Sequence, residues 1–220
     1  MSSFTDSHCH LASHKFPQDE VPALVSRAKE AGIHRLITLA TCPDDIPVNL
    51  GLAEEHPEVH ACLGIHPCDV HEAPDNFEDQ LRPLLCHEKV AAVGETGLDY
   101  YHPAPKGWDE DHFHERQRDF LRRHFTLARE SGLNVVIHTR DRSGSASFDD
   151  ALAIYSEFND TVTAVFHCVP GPPELAEQVF SLGGLISFTG IVTFKNASAV
   201  METALSIPAD RFMLETDSPY

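Results

Sequence analysis

Phe4-Thr5-Asp6-Ser7-His8-Cys9-His10 sets two imidazoles one residue apart near the N-terminus. In a β-strand alternate side chains share a face. His8 and His10 can therefore converge on one point, and two convergent imidazoles supply the first ligand pair for a divalent cation. With 15 His among 220 residues, the same pair also reads as two hydrogen-bonded core histidines. Other strand ends decide between these readings. The run before His66 ends in Gly64-Ile65-His66-Pro67, that after Val90 in Gly94-Glu95, that after Val135 in His138, that after Val162 in His167, and that after Phe212 in Glu215-Thr216-Asp217. Six strand ends thus carry ligand-type side chains. Any one of them alone fits a core histidine or a rim carboxylate. Together they have no use in stabilising a sheet, whereas a pair of divalent cations requires such a convergence.

Elements that could bring these ends together follow from the hydrophobic pattern. Short apolar, β-branched runs predict strands at 4–10, 35–39, 60–64, 90–94, 135–137, 162–166, 185–188 and 212–214. Between them, amphipathic stretches predict helices at 21–31, 44–55, 77–86, 110–131, 148–158, 174–182 and 197–205, several stopped by glycine at positions 32, 132 and 183. Repeated βα units imply parallel strands with helical crossovers, and eight of them predict a closed (β/α)8 TIM barrel, whose active sites lie at the C-terminal strand ends. A doubly wound sheet is the weaker alternative, because no glycine-rich phosphate loop follows the first strand. No linker or composition break divides residues 1–220, so a single domain is expected.

Charge narrows the substrate. Sixteen Lys and Arg face 34 Asp and Glu, a net charge of −18 with neutral His. Such a chain repels the long flank of a nucleic acid, so any attraction for phosphate must come from bound cations. No basic segment with an apolar core stands at the N-terminus, and no run approaches the roughly 20 apolar residues that span a bilayer. A cytoplasmic protein that engages no membrane is expected. The six cysteines form no C-x-x-C pair and read as free thiols.

Thr5-Asp6-Ser7-His8-Cys9-His10-Leu11, Gly64-Ile65-His66-Pro67, Val93-Gly94-Glu95-Thr96-Gly97-Leu98-Asp99-Tyr100-Tyr101, Val136-Ile137-His138-Thr139-Arg140-Asp141, Phe166-His167-Cys168 and Glu215-Thr216-Asp217-Ser218-Pro219-Tyr220 together resemble the TatD family of metal-dependent hydrolases, in order, from residue 5 to the last residue. The resemblance implies an amidohydrolase-like barrel and a metal-dependent deoxyribonuclease, including exonucleases that work from the 3′ end of DNA. It implies that His8, His10, Glu95 and Asp217 hold a first cation, and that Glu95 bridges to a second held by His138 and His167. Asp217 would also orient or deprotonate the attacking water, giving Glu95 and Asp217 the catalytic roles. His66 and Arg140 would bind phosphate oxygens of the substrate, DNA ends or RNA.

Several positions keep two readings. Arg140 could instead brace the rim through an ion pair with Asp141 or Asp99. Tyr100 and Tyr101 could stack on a terminal base or pack beneath the loop. Ser7 and Cys9 alternate with the ligands and are expected to face the helices. Four His with two carboxylates suit zinc or manganese, while phosphate chemistry often runs on magnesium, so two cations of Mg2+, Mn2+ or Zn2+ type are expected, in a monomer. An H-x-H barrel also serves carbonyl chemistry, so hydrolysis of a small amide, ester or lactone is the alternative. Two departures from the family pattern stand out. Val169-Pro170-Gly171 replaces the usual aromatic-small-Gly after the Phe-His-Cys run, and the proline is expected to stiffen that loop. The sequence also stops at Tyr220, where the family continues into another helix, so a barrel lacking its eighth helix is expected.

Overall fold

The β-branched runs pair side by side because each is joined to the next by a helix that packs back on the sheet. In a computed structural model of the chain, which describes residues 4–169 and 171–220, eight strands pair in sequence order, each parallel to the last. They are β1 (Phe4–Cys9), β2 (Ile33–Leu39), β3 (Val59–Leu63), β4 (Val90–Tyr100), β5 (Asn134–Asp141), β6 (Ala164–Phe166), β7 (Leu185–Phe188) and β8 (Phe212–Leu214). Among the described residues seven α-helices alternate with them: α1 (Val21–Glu30), α2 (Ile46–Glu55), α3 (Phe77–Leu81), α4 (Glu110–Ser131), α5 (Ala146–Ser156), α6 (Pro173–Ser181) and α7 (Ser198–Ser206). The architecture is a nearly closed TIM barrel, as the strand and helix pattern predicts. Pro170, where a stiffened loop is expected, lies outside the described residues.

The sheet closes between its first and last strands. Asp217 N–H donates to His8 O at 2.9 Å and His10 N–H donates to Ser218 O at 2.8 Å. Below them the buried Asp6 carboxylate accepts the Thr216 hydroxyl at 2.7 Å and the Thr216 N–H at 3.0 Å. Closure by these bonds is what carries the segment after β8 across to the two histidines of β1.

The longest helix shows why the elements form where they do. Asp109 caps α4 by accepting the N–H groups of Asp111 and His112, and Gly132 ends it at φ +67°, a left-handed conformation that glycine adopts without a Cβ clash. Its inner stripe buries Phe113, Phe120, Leu121, Phe125 and Leu127, each contributing about 1.5–3 kcal/mol of hydrophobic stabilisation. A large cluster between helices and sheet forms the main core. A separate small one, Leu39, Cys62, Ala92 and Val136, draws one residue from each of β2 to β5. Val136 shares its strand face with His138, so this apolar plug floors the site.

Four expectations are corrected. β4 does not stop at Gly94 but runs to Tyr100, because its partner β5 continues alongside to Asp141. β6 begins at Ala164, two residues later than its apolar run, and α3 is a short helix ending at Leu81. Ser7 does not pack under a helix: its hydroxyl donates to Leu214 O across the β1–β8 seam. Cys9 is buried in the main core. Among the described residues no helix is long and apolar enough to cross a membrane.

Candidate metal centre

Strand alternation brings His8 and His10 onto one face of β1, with Nε2 atoms 3.1 Å apart. Facing them are Glu95 Oε2, at 3.4 Å from His8 Nε2 and 3.5 Å from His10 Nε2, and Asp217 Oδ1, at 3.6 and 3.4 Å. The other oxygen of the same glutamate, Oε1, faces His138 Nδ1 at 3.2 Å and His167 Nε2 at 3.0 Å, and those two nitrogens are 3.2 Å apart. The edges of a tetrahedron of N and O donors around zinc are roughly 3.3–3.5 Å, from bonds of 2.0–2.2 Å. The first group, at 3.1–3.6 Å, brackets that spacing, and the second, at 3.0–3.2 Å, lies slightly inside it. The donor atoms present therefore fit two cations, with the two oxygens of Glu95 divided between them.

Two of the four imidazoles, those of His10 and His138, are turned by a bond from the outer nitrogen, which fixes the tautomer. His10 Nδ1–H donates to Leu39 O at 3.2 Å, and His138 Nε2–H donates to Asp99 Oδ2 at 3.1 Å. His167 Nδ1 lies 3.5 Å from Glu215 Oε1 and His8 Nδ1 lies 3.9 Å from Glu215 Oε2. Asp99 and Glu215 thus stand behind three of the four histidines. The sequence reading offers Asp99 only as an ion-pair partner for Arg140 and Glu215 only as part of the run ending the last strand, because each acts on histidines of other strands. The signal that could have found them is a carboxylate at alternation spacing beyond a strand end that already carries a donor.

His66 borders the second group, with its Nε2 3.8 Å from Glu95 Oε1 and donor atoms of His66, Glu95 and His138 within 4.8 Å of one another. Its Nδ1 accepts the Cys68 N–H at 3.2 Å. Burial lowers its pKa to about 3, so the ring is neutral and its one proton sits on Nε2, pointing at the centre. A donor in that position is able to serve an oxyanion.

Charge within the centre is balanced internally. Burial pushes the Glu95 carboxyl up, but the imidazoles of His167, His8 and His66 outweigh it and hold the group well below the carboxylate range. Burial likewise pushes His167 down, and Glu95 and Glu215 raise it well above its ordinary value. Asp217, whose side chain is 24% exposed, is the most exposed of the first group's donors; burial raises it and His10 and His8 bring it below its usual value. The cavity above measures about 340 Å3, and His66, Asp99, His102, Arg140, Asp217 and Tyr220 are among the residues that line it.

Arg140 forms neither of the expected ion pairs. Its guanidinium lies over the Tyr101 ring at 4.2 Å, while Asp141 caps α5 through Ser147 and Asp99 is occupied by His102 and His138. The two tyrosines resolve differently. Tyr100 packs, its hydroxyl donating to Asp150 at 2.7 Å and its ring stacked on His114, whereas Tyr101 is 43% exposed at the rim.

Glycine permits the close approach of β4 to β5. Gly94 and Gly97 have φ of +143° and +142°; a Cβ at Gly94 would lie 2.7 Å from Val136 O, and one at Gly97 would collide with the backbone of His138. The strand bearing Glu95 can run against the strand bearing His138 only with glycine at these places.

A family model described as TatD related DNase matches residues 5–220. The chain is 36% identical over 219 residues to the uncharacterized metal-dependent hydrolase YcfH of Escherichia coli, covering 98% of this chain and 77% of that one. It is 32% identical over 215 residues to the uncharacterized metal-dependent hydrolase YabD of Bacillus subtilis, covering 98% and 80%. The crystal structure of YjjV, a TatD homolog from Escherichia coli, superposes with a TM-score of 0.85 at 32% identity, over 98% of this chain and 79% of that chain. With its ordered signatures, its barrel and this likeness, the chain belongs to the TatD related DNase family of metal-dependent hydrolases.

Proposed function

We propose that this hydrolase cleaves phosphodiester bonds at DNA ends, in the 3′-to-5′ direction, with two divalent cations of the Mg2+, Mn2+ or Zn2+ class held by His8, His10, Glu95, His138, His167 and Asp217. The observation that carries the reading is the division of donors between the two oxygens of Glu95, three on one side and two on the other. Bound there, the cations supply Lewis-acid charge against the phosphoryl oxygens and lower the pKa of water. The chain's own residues do the rest. Asp217, open to the cavity, accepts the proton of the attacking water. His66 Nε2–H donates to a phosphate oxygen, and Arg140, over Tyr101, adds a fixed positive charge to the next phosphate. The exposed Tyr101 offers the terminal base a stacking face.

All six donors lie at the strand ends of one barrel, which supports a single catalytic domain. The six cysteines are free, which suits a reducing cytoplasm. A 5′-labelled single-stranded oligonucleotide, incubated after chelation and metal add-back, is expected to shorten one nucleotide at a time. Glu95→Gln and Asp217→Asn are expected to abolish the ladder with the fold intact. Cleavage retained in either purified variant overturns the reading, and turnover of lactone or dihydropyrimidine substrates with none on oligonucleotides assigns the centre to carbonyl chemistry instead.

A further inference from the structure

A second set of donors lies on the rim, outside the two groups around Glu95. Cys68 follows β3, Asp99 stands near the end of β4, and His102 comes just after it. Cys68 Sγ is 3.7 Å from His102 Nδ1, and His102 Nδ1 is 2.9 Å from Asp99 Oδ2. Donor atoms of all three residues lie within 4.8 Å of one another. Around a tetrahedral zinc the S–N and N–O edges are about 3.6 and 3.4 Å, so small side-chain adjustments complete three corners.

We propose that Cys68, Asp99 and His102 form a third cation site, selective for a thiophilic divalent ion such as zinc, with its fourth position open to the main cavity. It does not rest on the nuclease reading, since it concerns only what the rim binds. Three points carry it. The donor set is soft and borderline, a thiolate with an imidazole and a carboxylate, which selects zinc or cobalt over magnesium. The backbone is already fixed: Cys68 N–H is tied to His66 Nδ1, and Asp99 Oδ1 accepts the N–H groups of Tyr101 and His102 at 3.0 and 2.8 Å. Only the half-exposed His102 ring has to be ordered, so little conformational freedom is lost on binding. Finally, Asp99 and His102 both line the main cavity, which gives the ion an entry path and an open corner.

Binding exchanges protons for the cation. The Cys68 thiol, held protonated by its burial and by the Asp99 carboxylate, releases its proton to solvent, and the proton that His102 Nδ1 donates to Asp99 Oδ2 is exchanged for one on Nε2, so that Nδ1 is free to bind. Asp99 Oδ2 gives up its bond from His102 and keeps that from His138 Nε2–H. Asp99 would then be a ligand of the rim ion and, through His138, the outer partner of the second group around Glu95.

The test is a cobalt titration of the whole, metal-stripped protein. The groups around Glu95 contain no sulfur, so thiolate-to-cobalt charge-transfer absorption in the near ultraviolet reports the rim alone. The expected result is such a band in the unaltered protein, its loss in Cys68→Ser together with one equivalent of bound cobalt, and affinity for that equivalent weakened about tenfold or more in His102→Ala. Cys86→Ser, at an exposed cysteine far from the rim in sequence, is expected to keep the band. Circular dichroism of each variant checks the fold, and His102→Ala, at a half-exposed ring, is available should Cys68→Ser not fold. Absence of the band from the unaltered protein, or its persistence in Cys68→Ser, overturns the proposal.

Discussion

Asp99 and Glu215 are the carboxylates that stand behind the histidines of the centre. Asp99 takes two backbone N–H groups on Oδ1 and the rings of His102 and His138 on Oδ2. Glu215 accepts the Cys168 N–H at 3.0 Å and stands behind His167 and His8. A ligand histidine whose outer nitrogen meets a carboxylate is fixed in tautomer and orientation and made more basic, and losing such a partner costs 10- to 100-fold in metal affinity. Asp99→Asn and Glu215→Gln are therefore expected to weaken metal binding by roughly that factor, with a melting temperature little changed. Competition against a chelator measures it, and unaltered affinity in both variants would remove these residues from the centre. Arg140 belongs to the same scale. Laid on Tyr101 and free of the acidic neighbours that the sequence offered it, its charge stays available to a substrate.

Elements place these residues through a few specific bonds. α4 meets the end of β3 at His124, a buried ring that accepts the Ile65 N–H at 3.1 Å on Nε2 and donates from Nδ1 to Phe120 O at 2.7 Å. That contact positions the residue beside His66. It requires a neutral ring, and burial lowers the His124 pKa from 6.5 to about 4. The unfolded chain takes up a proton from pH 6.5 downward while the folded one resists until about pH 4. Its contribution to stability is thus complete above pH 6.5 and is lost progressively as the pH falls toward 4, a change on the order of 3 kcal/mol. His124→Gln, which keeps an acceptor but cannot charge, is expected to lose correspondingly less stability between pH 7 and pH 4. Urea denaturation at several pH values checks this, and parallel pH profiles for the two proteins would refute it. At the same scale, Gly94 and Gly97 let β4 and β5 meet closely enough for Glu95 and His138 to share a centre.

Across the whole molecule, an excess of acidic residues accompanies the site at which we propose that phosphates bind. Net charge of −18 works against long-range attraction of a nucleic acid, and among the residues lining the cavity the one Lys or Arg is Arg140, helped by the neutral donor His66. Attraction is then confined to the end of a strand that reaches the centre, which agrees with an enzyme for ends rather than for internal duplex. Each phosphate neutralised contributes a slope of about −0.7 to log K against log salt for a single strand. One or two contacts predict a slope of roughly −0.7 to −1.4 for oligonucleotide binding, measured with the hydrolytically inactive Glu95→Gln variant at constant metal. A slope steeper than about −3 would require a track of basic contacts and would contradict the confinement.

Much of this molecule is readable from strand periodicity alone. Donors at His8, His10, His66, Glu95, His138, His167 and Asp217 fall at the ends of short apolar runs, and an alternation of strands and helices demands a parallel barrel whose strand ends share a rim, so local pattern and chain geometry suffice to assemble them. Tertiary structure alone decided which oxygen of Glu95 faces which histidines, that Asp99 and Glu215 stand behind rings on other strands, that Arg140 lies on Tyr101 instead of pairing with Asp141, and that Cys68 meets His102 across 34 positions of sequence. Those are relations between side chains whose partners lie far along the chain. Alternation says which face a side chain occupies, whereas register, barrel closure and the tautomer of each imidazole are set by hydrogen bonds that exist only once the strands have paired.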